Sequence, residues 1–221
     1  MEFRCIEDCS QCCIEREYYP SKKFGKIGVL ILPEEKDRIE KLAIKNELKI
    51  KILPRIGISE KKDSIPSKIL AYQLMGSEKN GNTCPFLDTD SGEKSPHGGH
   101  PCKIYNERPL ACTAYPLIES DPITLDQKCK FCKEHGNADN NLNSEIEALL
   151  KIKEKMIPDA GFIWRYATNI GEIEDQEIME SGWILEEWGN PKMGIYVNST
   201  KNSKGIISLV GYEWRCMVES R

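Results

Sequence analysis

The pattern of apolar and polar residues in the first quarter of the chain predicts a strand followed by a helix. Residues 27–32 form a short apolar run of strand length. Pro33 suits the first helical position, because its ring fixes a helical φ and its missing N–H would have no intrahelical partner there. We expect this helix to end near Leu48 and to bury a stripe made of Ile39, Leu42 and Ala43, with Ile44 at its edge. A further extended segment is predicted over residues 49–58, interrupted by Pro54.

The pattern in the last third of the chain predicts one more helix and two more strands. Ser144 and Glu147 have the spacing of a capping box, so a helix should begin beside them and end before Pro158. Apolar and polar residues then alternate in two short segments separated by turn-forming residues. This alternation predicts strands at 193–197 and 206–210.

Cysteine and tryptophan are distributed unevenly, which predicts two parts of different character. Nine of the ten cysteines lie between residues 5 and 132, whereas all four tryptophans lie after residue 163. The polar run at 136–141 has the composition of a linker, and residues 79–101 have that of a loop. We therefore predict an α+β protein, with a loop-rich cysteine and metal-bound domain at 1–136. A smaller α+β segment with an aromatic core should follow at 137–221.

Composition and charge favour a folded protein of the cytoplasm. Hydrophobic residues make up 39% of the chain and charged residues 30%, as in globular rather than disordered proteins. The net charge of −4 gives no overall attraction to nucleic acid, and no apolar run is long enough to cross a membrane. No secretory signal is visible near Met1, so we expect a reducing compartment. Ten cysteines there are more typical of metal ligation than of disulfides.

The cysteines form two elements with the spacing of metal ligands. The first is Cys5-x3-Cys9-x2-Cys12-Cys13, whose sulfurs share neither a helix face nor a strand face, so a loop wrapped around metal explains them better. The second contains a CxxC pair, a spacing at which two thiolates from one turn can bind the same ion. Ordinary buried cysteines and separate redox thiols are the competing interpretations. Nine cysteines are candidate ligands of zinc or of an iron–sulfur cluster: Cys5, Cys9, Cys12, Cys13, Cys84, Cys102, Cys112, Cys129 and Cys132.

The adjacency of Cys12 and Cys13 bears on the number of metal centres. Neighbouring side chains usually diverge, so these thiolates serve different centres more easily than one, unless one of them lies outside the ligand set. Nine cysteines are enough for two four-coordinate sites, and one centre with spare cysteines is equally consistent. We expect the first element to share centres with later sulfurs, from Cys84, Cys102, Cys112 and Cys129.

Three segments of the chain carry a combined motif. They are Cys5-x3-Cys9-x2-Cys12-Cys13, then Cys84-Pro85-Phe86-Leu87, then Cys102-Lys103-Ile104-Tyr105-x2-Arg108-Pro109-x2-Cys112-x2-Tyr115-Pro116. Together they resemble the YkgJ-type family of zinc- or iron-chelating domains, over roughly residues 5–132. The resemblance implies metal chelation by the matching cysteines. Thr113 departs from it, because family members often carry Arg at this place, and the stretch at 88–101 is longer than usual.

The charged and imidazole side chains near the cysteines have predicted roles of their own. Four thiolates around a dication leave a net charge of about −2, so the Arg108 guanidinium is a candidate donor to the sulfurs. A surface arginine beside a turn proline is the alternative. We expect His97, His100 and His135 to be exposed rather than to bind metal.

The function predicted from these observations is metal binding, with the metal structural, used in electron transfer, or held for delivery. Flagellin lysine N-methylases carry a related cysteine cluster, so a protein N-methyltransferase with an iron–sulfur cluster is the enzymatic alternative. A third hypothesis is a zinc-stabilised interaction module. It would dock a protein partner on residues 171–190, which carry seven acidic residues and no basic one. No catalytic residue can be identified, and whether the protein is an enzyme stays open.

Overall fold

The computed structural model describes most of the chain up to residue 168 and short segments after it. The described residues are 7–14, 18–21, 24–77, 83–95, 98–135, 142–157, 161–168, 182–185, 200–201 and 207–208. Helices within them are Gln11–Ile14 (α1), Pro33–Lys45 (α2), Leu110–Ala114 (α3), Lys130–His135 (α4) and Asn143–Lys155 (α5). Strands are Tyr18–Ser21 (β1), Gly25–Ile27 (β2), Val29–Ile31 (β3), Ile52–Ser59 (β4), Lys68–Leu74 (β5), Leu117–Ser120 (β6), Ile123–Leu125 (β7), Phe162–Tyr166 (β8), Trp183–Leu185 (β9), Thr200–Lys201 (β10) and Ile207–Ser208 (β11). The predicted α+β class is confirmed.

Five of these strands form one antiparallel sheet in the order β3-β5-β4-β8-β9. Strand β4 lies at its centre, where Ile56 stands opposite Ala71 on β5 and Arg165 on β8. Strands β3, β4 and β5 precede residue 136, whereas β8 and β9 follow residue 141. The boundary predicted between residues 136 and 137 therefore separates strands that pair with one another in a single sheet.

Pro54 lies inside strand β4 and bends it without ending it. The pairing register between β4 and β5 shifts between Pro54 and Ile56. Such a bulge is expected at a proline, which has no N–H to offer the ladder. The Pro54 carbonyl accepts a hydrogen bond from the side-chain amide of buried Gln73 at 2.9 Å. The extended segment predicted at 49–58 is thus found as a strand over residues 52–59, and Pro54 disturbs its pairing without interrupting it.

Helix α2 begins at Pro33 as predicted and ends three residues earlier than Leu48. Asn46 closes it, donating its side-chain amide to the Leu42 carbonyl at 2.8 Å, and Glu47 follows with a φ of +56°. The predicted stripe of Ile39, Leu42 and Ala43 is buried. Ile44 is 76% exposed, so its placement at the edge of the stripe is wrong. It falls about 100° around the helix from its neighbour Ala43, far enough to leave the buried face.

Helix α5 confirms the predicted helix before Pro158 but not its capping box. The N-cap is Leu142, which makes no side-chain cap, and the Ser144 hydroxyl donates to the Glu145 carboxylate at 3.1 Å. Glu147 pairs instead with Lys151, one turn further along the helix. Of the two strands predicted near the C-terminus, 193–197 lies outside the described residues. Ile207–Ser208 falls within the second and pairs with Thr200–Lys201.

Three groups of buried side chains position the cysteines. The main core contains Val29, Ile31, Ile39, Leu42, Ala43, Leu74, Cys84, Phe86, Leu87 and Ile104. A second group, the hairpin core, contains Leu117, Leu125, Cys129, Cys132 and Leu142. A third joins the start of α2 to α3 and α5 through Leu32, Ala114, Ala148 and Ile152. Within the described part of the chain, no helix has both the length and the apolar character needed to cross a membrane.

Candidate metal centre

Four cysteines from separate segments meet at the main core. Cys84 is buried within it, and Cys13, Cys102 and Cys112 pack against it while keeping part of their surface exposed. We call these four residues the first cysteine cluster. They come from α1, from the segment before Phe86, from the segment after Pro101 and from α3. Because ninety-eight positions separate the first from the last, only the tertiary fold brings these thiols together.

Backbone hydrogen bonds hold the segments of the first cysteine cluster in place. The Cys84 N–H donates to the Cys13 carbonyl at 2.7 Å, which ties α1 to the later segment. Cys102 pairs with Leu87 through an antiparallel bridge, and the Lys103 N–H donates to the Phe86 carbonyl at 2.9 Å. Phe86 is 1% exposed and anchors this crossing in the main core. The Cys-Pro-Phe-Leu motif therefore holds these segments together largely through its backbone hydrogen bonds and its buried phenyl ring.

The thiol of Cys102 lies in an environment that disfavours its charged form. Burial raises the pKa of Cys102 to about 11, and the neighbouring Cys13 and Cys112 act in the same direction. The Ile104 N–H and the positive charge of Arg108 oppose this rise in pKa. The influence of Cys13 and Cys112 on one sulfur supports the expectation that the N-terminal and later cysteines approach one another.

Arg108 lies beside the first cysteine cluster and is oriented by Tyr105. Its guanidinium carbon is 4.1 Å from the centre of the Tyr105 ring, and Nη1 donates to the Tyr105 carbonyl at 3.0 Å. Its charge lowers the pKa of Cys102 against the effect of burial. Tyr105, which is half exposed, thus serves as a platform for the guanidinium.

The donor chemistry of the first cysteine cluster fits zinc or iron, whereas its side chains are not arranged around one point. Four thiols are a familiar ligand set for both metals. Nevertheless, in the described part of the chain no three His, Cys, Asp or Glu side chains are placed so that they could hold a metal ion. Ligation of one ion by these four thiols would therefore need their side chains to move closer together.

Cys9 and Cys12 lie next to the first cysteine cluster along the chain. The sulfurs of Cys12 and Cys13 are 3.9 Å apart on the single turn of α1, so the expectation that these neighbouring side chains diverge is wrong. Cys9 is half-buried in the turn that precedes this helix, and Cys5 lies outside the described residues. None of the eight described cysteines is joined in a disulfide.

A glycine pair that the sequence analysis did not select holds the turn containing Cys9. A Cβ on Gly99 would stand 2.6 Å from the Cys9 carbonyl oxygen and 2.5 Å from the Ser10 Oγ. Gly98 has a φ of +85°, and a Cβ there would stand 2.7 Å from a carboxylate oxygen of Asp8. Buried Ser10 donates its hydroxyl to the His100 carbonyl at 3.4 Å. In the His-Gly-Gly-His stretch, the glycines permit this backbone contact; a run of two glycines was the available signal.

Cys129 and Cys132, the hairpin pair, lie in a different place from the first cysteine cluster. They are 6% and 3% exposed and pack in the hairpin core, with Tyr115, Phe131, Ile146 and Leu149 around it. Buried Asp126 precedes them; its carbonyl accepts the Cys129 N–H at 3.0 Å. The structure does not bring Cys129 into the first cysteine cluster, although the sequence analysis expected it there.

The remaining predicted site features have mixed outcomes. His100 is exposed as expected, His97 lies outside the described residues, and the side chain of His135 does too. Thr113, which stands where an arginine was expected, directs its hydroxyl to the Pro109 carbonyl at 3.5 Å. Of the acidic segment at 171–190, only residues 182–185 are described, so its predicted partner surface lies almost entirely outside them.

Comparisons with known proteins agree with the cysteine arrangement. A family model named CxxCxxCC, described as a "Putative zinc- or iron-chelating domain", matches residues 4–134. The matched region contains all nine candidate cysteines and ends just before the end of α4. Searches of curated proteins and of solved structures gave no match.

Proposed function

The chain belongs to the CxxCxxCC family of zinc- or iron-chelating domains, and on this premise we propose that the first cysteine cluster is its central metal site. In this proposal Cys13, Cys84, Cys102 and Cys112 hold one zinc or iron centre. The metal has a structural role, since it connects the N-terminal turn and α1 to the segments on both sides of Phe86. The other five predicted ligands stay predictions outside this centre: Cys5, Cys9, Cys12, Cys129 and Cys132.

One observation carries the proposal: four cysteines from distant parts of the chain belong to the main core or pack against it. Each short element that bears them is a weak structure by itself. Helix α1 has four residues and α3 has five, both well below the length at which a helix is stable alone in water. A metal ion that binds all four thiolates would fix these elements relative to one another. A structural zinc site can supply apparent binding energy on the order of 10–16 kcal/mol, comparable with the stability of a whole domain.

The raised pKa of Cys102 couples metal binding at this site to the release of a proton. With the pKa of Cys102 raised to about 11 by burial, the metal-free thiol is protonated at neutral pH. A metal must displace that proton, so its binding releases protons and strengthens as the pH rises. Arg108 then offsets part of the negative charge that four thiolates leave around a dication.

The test of this proposal is the metal content of protein purified without oxygen. We expect close to one equivalent of zinc, or of iron with sulfide, in the wild-type protein and a large loss in the variant C102S. Colourless protein with zinc supports the structural role, whereas brown protein with iron and sulfide favours electron transfer. Protein that contains neither metal and takes up neither after reduction would overturn the proposal. Nothing in the described part of the chain favours the methyltransferase alternative.

A further inference from the structure

Glu35 is a buried carboxylate whose position is explained only in part by its own helix. It is 5% exposed and occupies the third position of α2. Its Oε2 accepts the N–H of Leu32, the N-cap residue, at 3.0 Å. That bond is half of a capping box, because Leu32 has no side-chain oxygen to complete the other half. A helix cap of this kind does not need to be buried, and it uses only one of the two carboxylate oxygens.

The second oxygen of Glu35 reaches another helix. Oε1 accepts the N–H of Leu110, the first residue of α3, at 2.9 Å. The N-cap of α3 is Pro109, which has no side-chain acceptor, so this helix has no cap of its own. Glu35 supplies the missing acceptor from α2, seventy-five residues earlier in the chain.

Arg38 reinforces the same connection one turn further along α2. Its Nη2 donates to Glu35 Oε1 at 3.3 Å, and its Nη1 donates to the carbonyl of Glu107. Helix α2 therefore contacts the chain on both sides of Arg108 and Pro109. The segment held in this way carries Arg108 at its centre and leads directly to Cys112.

We propose that Glu35 is a positioning residue for the first cysteine cluster, acting as a cap supplied by α2 to α3. This inference rests on the proposed metal site. Helix α3 has five residues, so its geometry must be set from outside, and the cap at Leu110 sets the direction in which Cys112 leaves the backbone. Glutamine at position 35 has one oxygen and one NH2 group in place of two acceptors. The backbone N–H of either Leu32 or Leu110 would then face the NH2 group of the glutamine, so that two donors meet inside the protein.

The test compares E35Q with E119Q. Glu119 is less buried than Glu35 but likewise accepts a backbone N–H, from Ser120 at 2.9 Å, and it pairs with Lys153. It lies on β6, which contributes no residue to the first cysteine cluster. Zinc affinity is measured by competition with a chromophoric chelator. The rate of Cys112 alkylation in the metal-free protein is measured by mass spectrometry, with Cys129 as the internal reference. Thermal unfolding of each metal-free variant reports the loss of stability.

We expect E35Q to weaken zinc binding by about tenfold or more, as for other groups that orient metal ligands. It should also speed the alkylation of Cys112 several-fold while leaving Cys129 unchanged. E119Q should lower the unfolding temperature without either change. R38M, which keeps the Glu35 carboxylate, should give a smaller effect in the same direction and covers the case in which E35Q does not fold.

Three outcomes separate this inference from the proposed function. Wild-type zinc affinity and wild-type Cys112 reactivity in E35Q, with tight binding by the unmodified protein, would overturn the inference and leave the metal site intact. Equal losses in E35Q and E119Q would show a general effect of stability and overturn it too. If the unmodified protein binds no metal, the proposed function fails. The Cys112 alkylation rates then still decide whether Glu35 positions α3.

Discussion

The first cysteine cluster and the hairpin pair are two ways in which one chain places its thiols. The hairpin pair is local: Cys129 and Cys132 lie one helical turn apart and are buried among leucines. The first cysteine cluster is assembled from four segments. Three of its residues keep some exposure, and the charge of Arg108 acts on one of them, Cys102. The CxxC spacing is the more recognisable ligand motif of the two. The dispersed cysteines nevertheless form the larger group of thiols in the described structure.

The spacing of cysteines along the chain and the surroundings of their side chains are therefore separate properties of a metal site. A CxxC turn can close around a metal without help from the rest of the fold, but the surroundings of the hairpin pair are apolar side chains that offer no further ligand. Dispersed cysteines depend on the fold, and the fold in turn gains from the metal that joins them. The predictions that follow test whether the two groups differ in metal dependence as their surroundings suggest.

The largest effect is expected from metal removal. A strong chelator should cost the folded state on the order of 10 kcal/mol around the first cysteine cluster, because α1 and α3 are too short to persist alone. Hydrogen exchange should increase first in residues 83–87 and 102–114 and later in α5, which has thirteen residues and its own buried face. Equal loss of protection at α5 and at α3 after verified metal loss would contradict the comparison.

Serine substitutions separate the two groups of cysteines directly. C102S should weaken metal binding on the order of 100-fold or more, since a hydroxyl is a poor substitute for a thiolate. C129S should leave one equivalent of metal bound and lower stability by roughly 1–3 kcal/mol, because it places a hydroxyl in the apolar hairpin core. Metal analysis and denaturant unfolding measure the two effects. A loss of the metal in C129S comparable with that in C102S would show that the hairpin pair belongs to the same centre.

The glycine contact at the turn of Cys9 is expected to have an intermediate effect. G99A should destabilise the protein by about 2 kcal/mol, because the new Cβ would stand 2.6 Å from the Cys9 carbonyl oxygen, a backbone atom that cannot move alone. Gly92 is a matched control: it has a φ of +72°, and nothing lies within 4 Å of a Cβ placed there. G92A should therefore show only the strain of a left-handed alanine, about 1 kcal/mol. Alkylation of Cys9 should accelerate in G99A and not in G92A.

The smallest effect concerns the alkaline stability of the metal-free protein. The pKa of Cys102 is raised above its usual value of 9.0 to about 11 by burial, so the folded state holds this proton more tightly than the unfolded state does. The resulting stability is fully present below pH 9 and is lost as the pH rises through about 11. Because the side chain is partly exposed, we expect a loss of about 1–2 kcal/mol over this interval.

Denaturant unfolding of the metal-free protein at several pH values measures this slope. C102A should remove the decrease in unfolding free energy between pH 9 and about 11, whereas C129A should leave this decrease unchanged. The zinc-loaded protein should lack the slope, because its sulfurs are already deprotonated. A slope that survives unchanged in C102A would assign it to another group.

The ligand chemistry and the local elements near the ligands could be predicted from the amino-acid sequence. Nine cysteines with the spacing of metal ligands indicated thiolate metal binding, and their combined motif indicated the family to which the chain belongs. Local periodicity also located α2 and α5, because an amphipathic stripe of 3.6-residue period depends only on neighbours along the chain. Two local predictions were wrong. Ile44 is exposed because the packing around α2 decides which side chains are buried, and Ser144 is not the cap of α5.

Which residues contact one another across the chain depends on the fold and could not be predicted from the sequence. Pairing of β4 with β8, and of β8 with β9, carries the sheet across the predicted boundary at 136. A composition shift cannot report this, because hydrogen-bonded strands leave no signature of their partner. Likewise, Gly99 against Cys9 and Glu35 against Leu110 are contacts between residues about seventy-five to ninety positions apart. Their roles come from distance and burial, and neither quantity is contained in the identity of a single residue. The thiols of the first cysteine cluster were visible in the sequence, but their assembly required the fold.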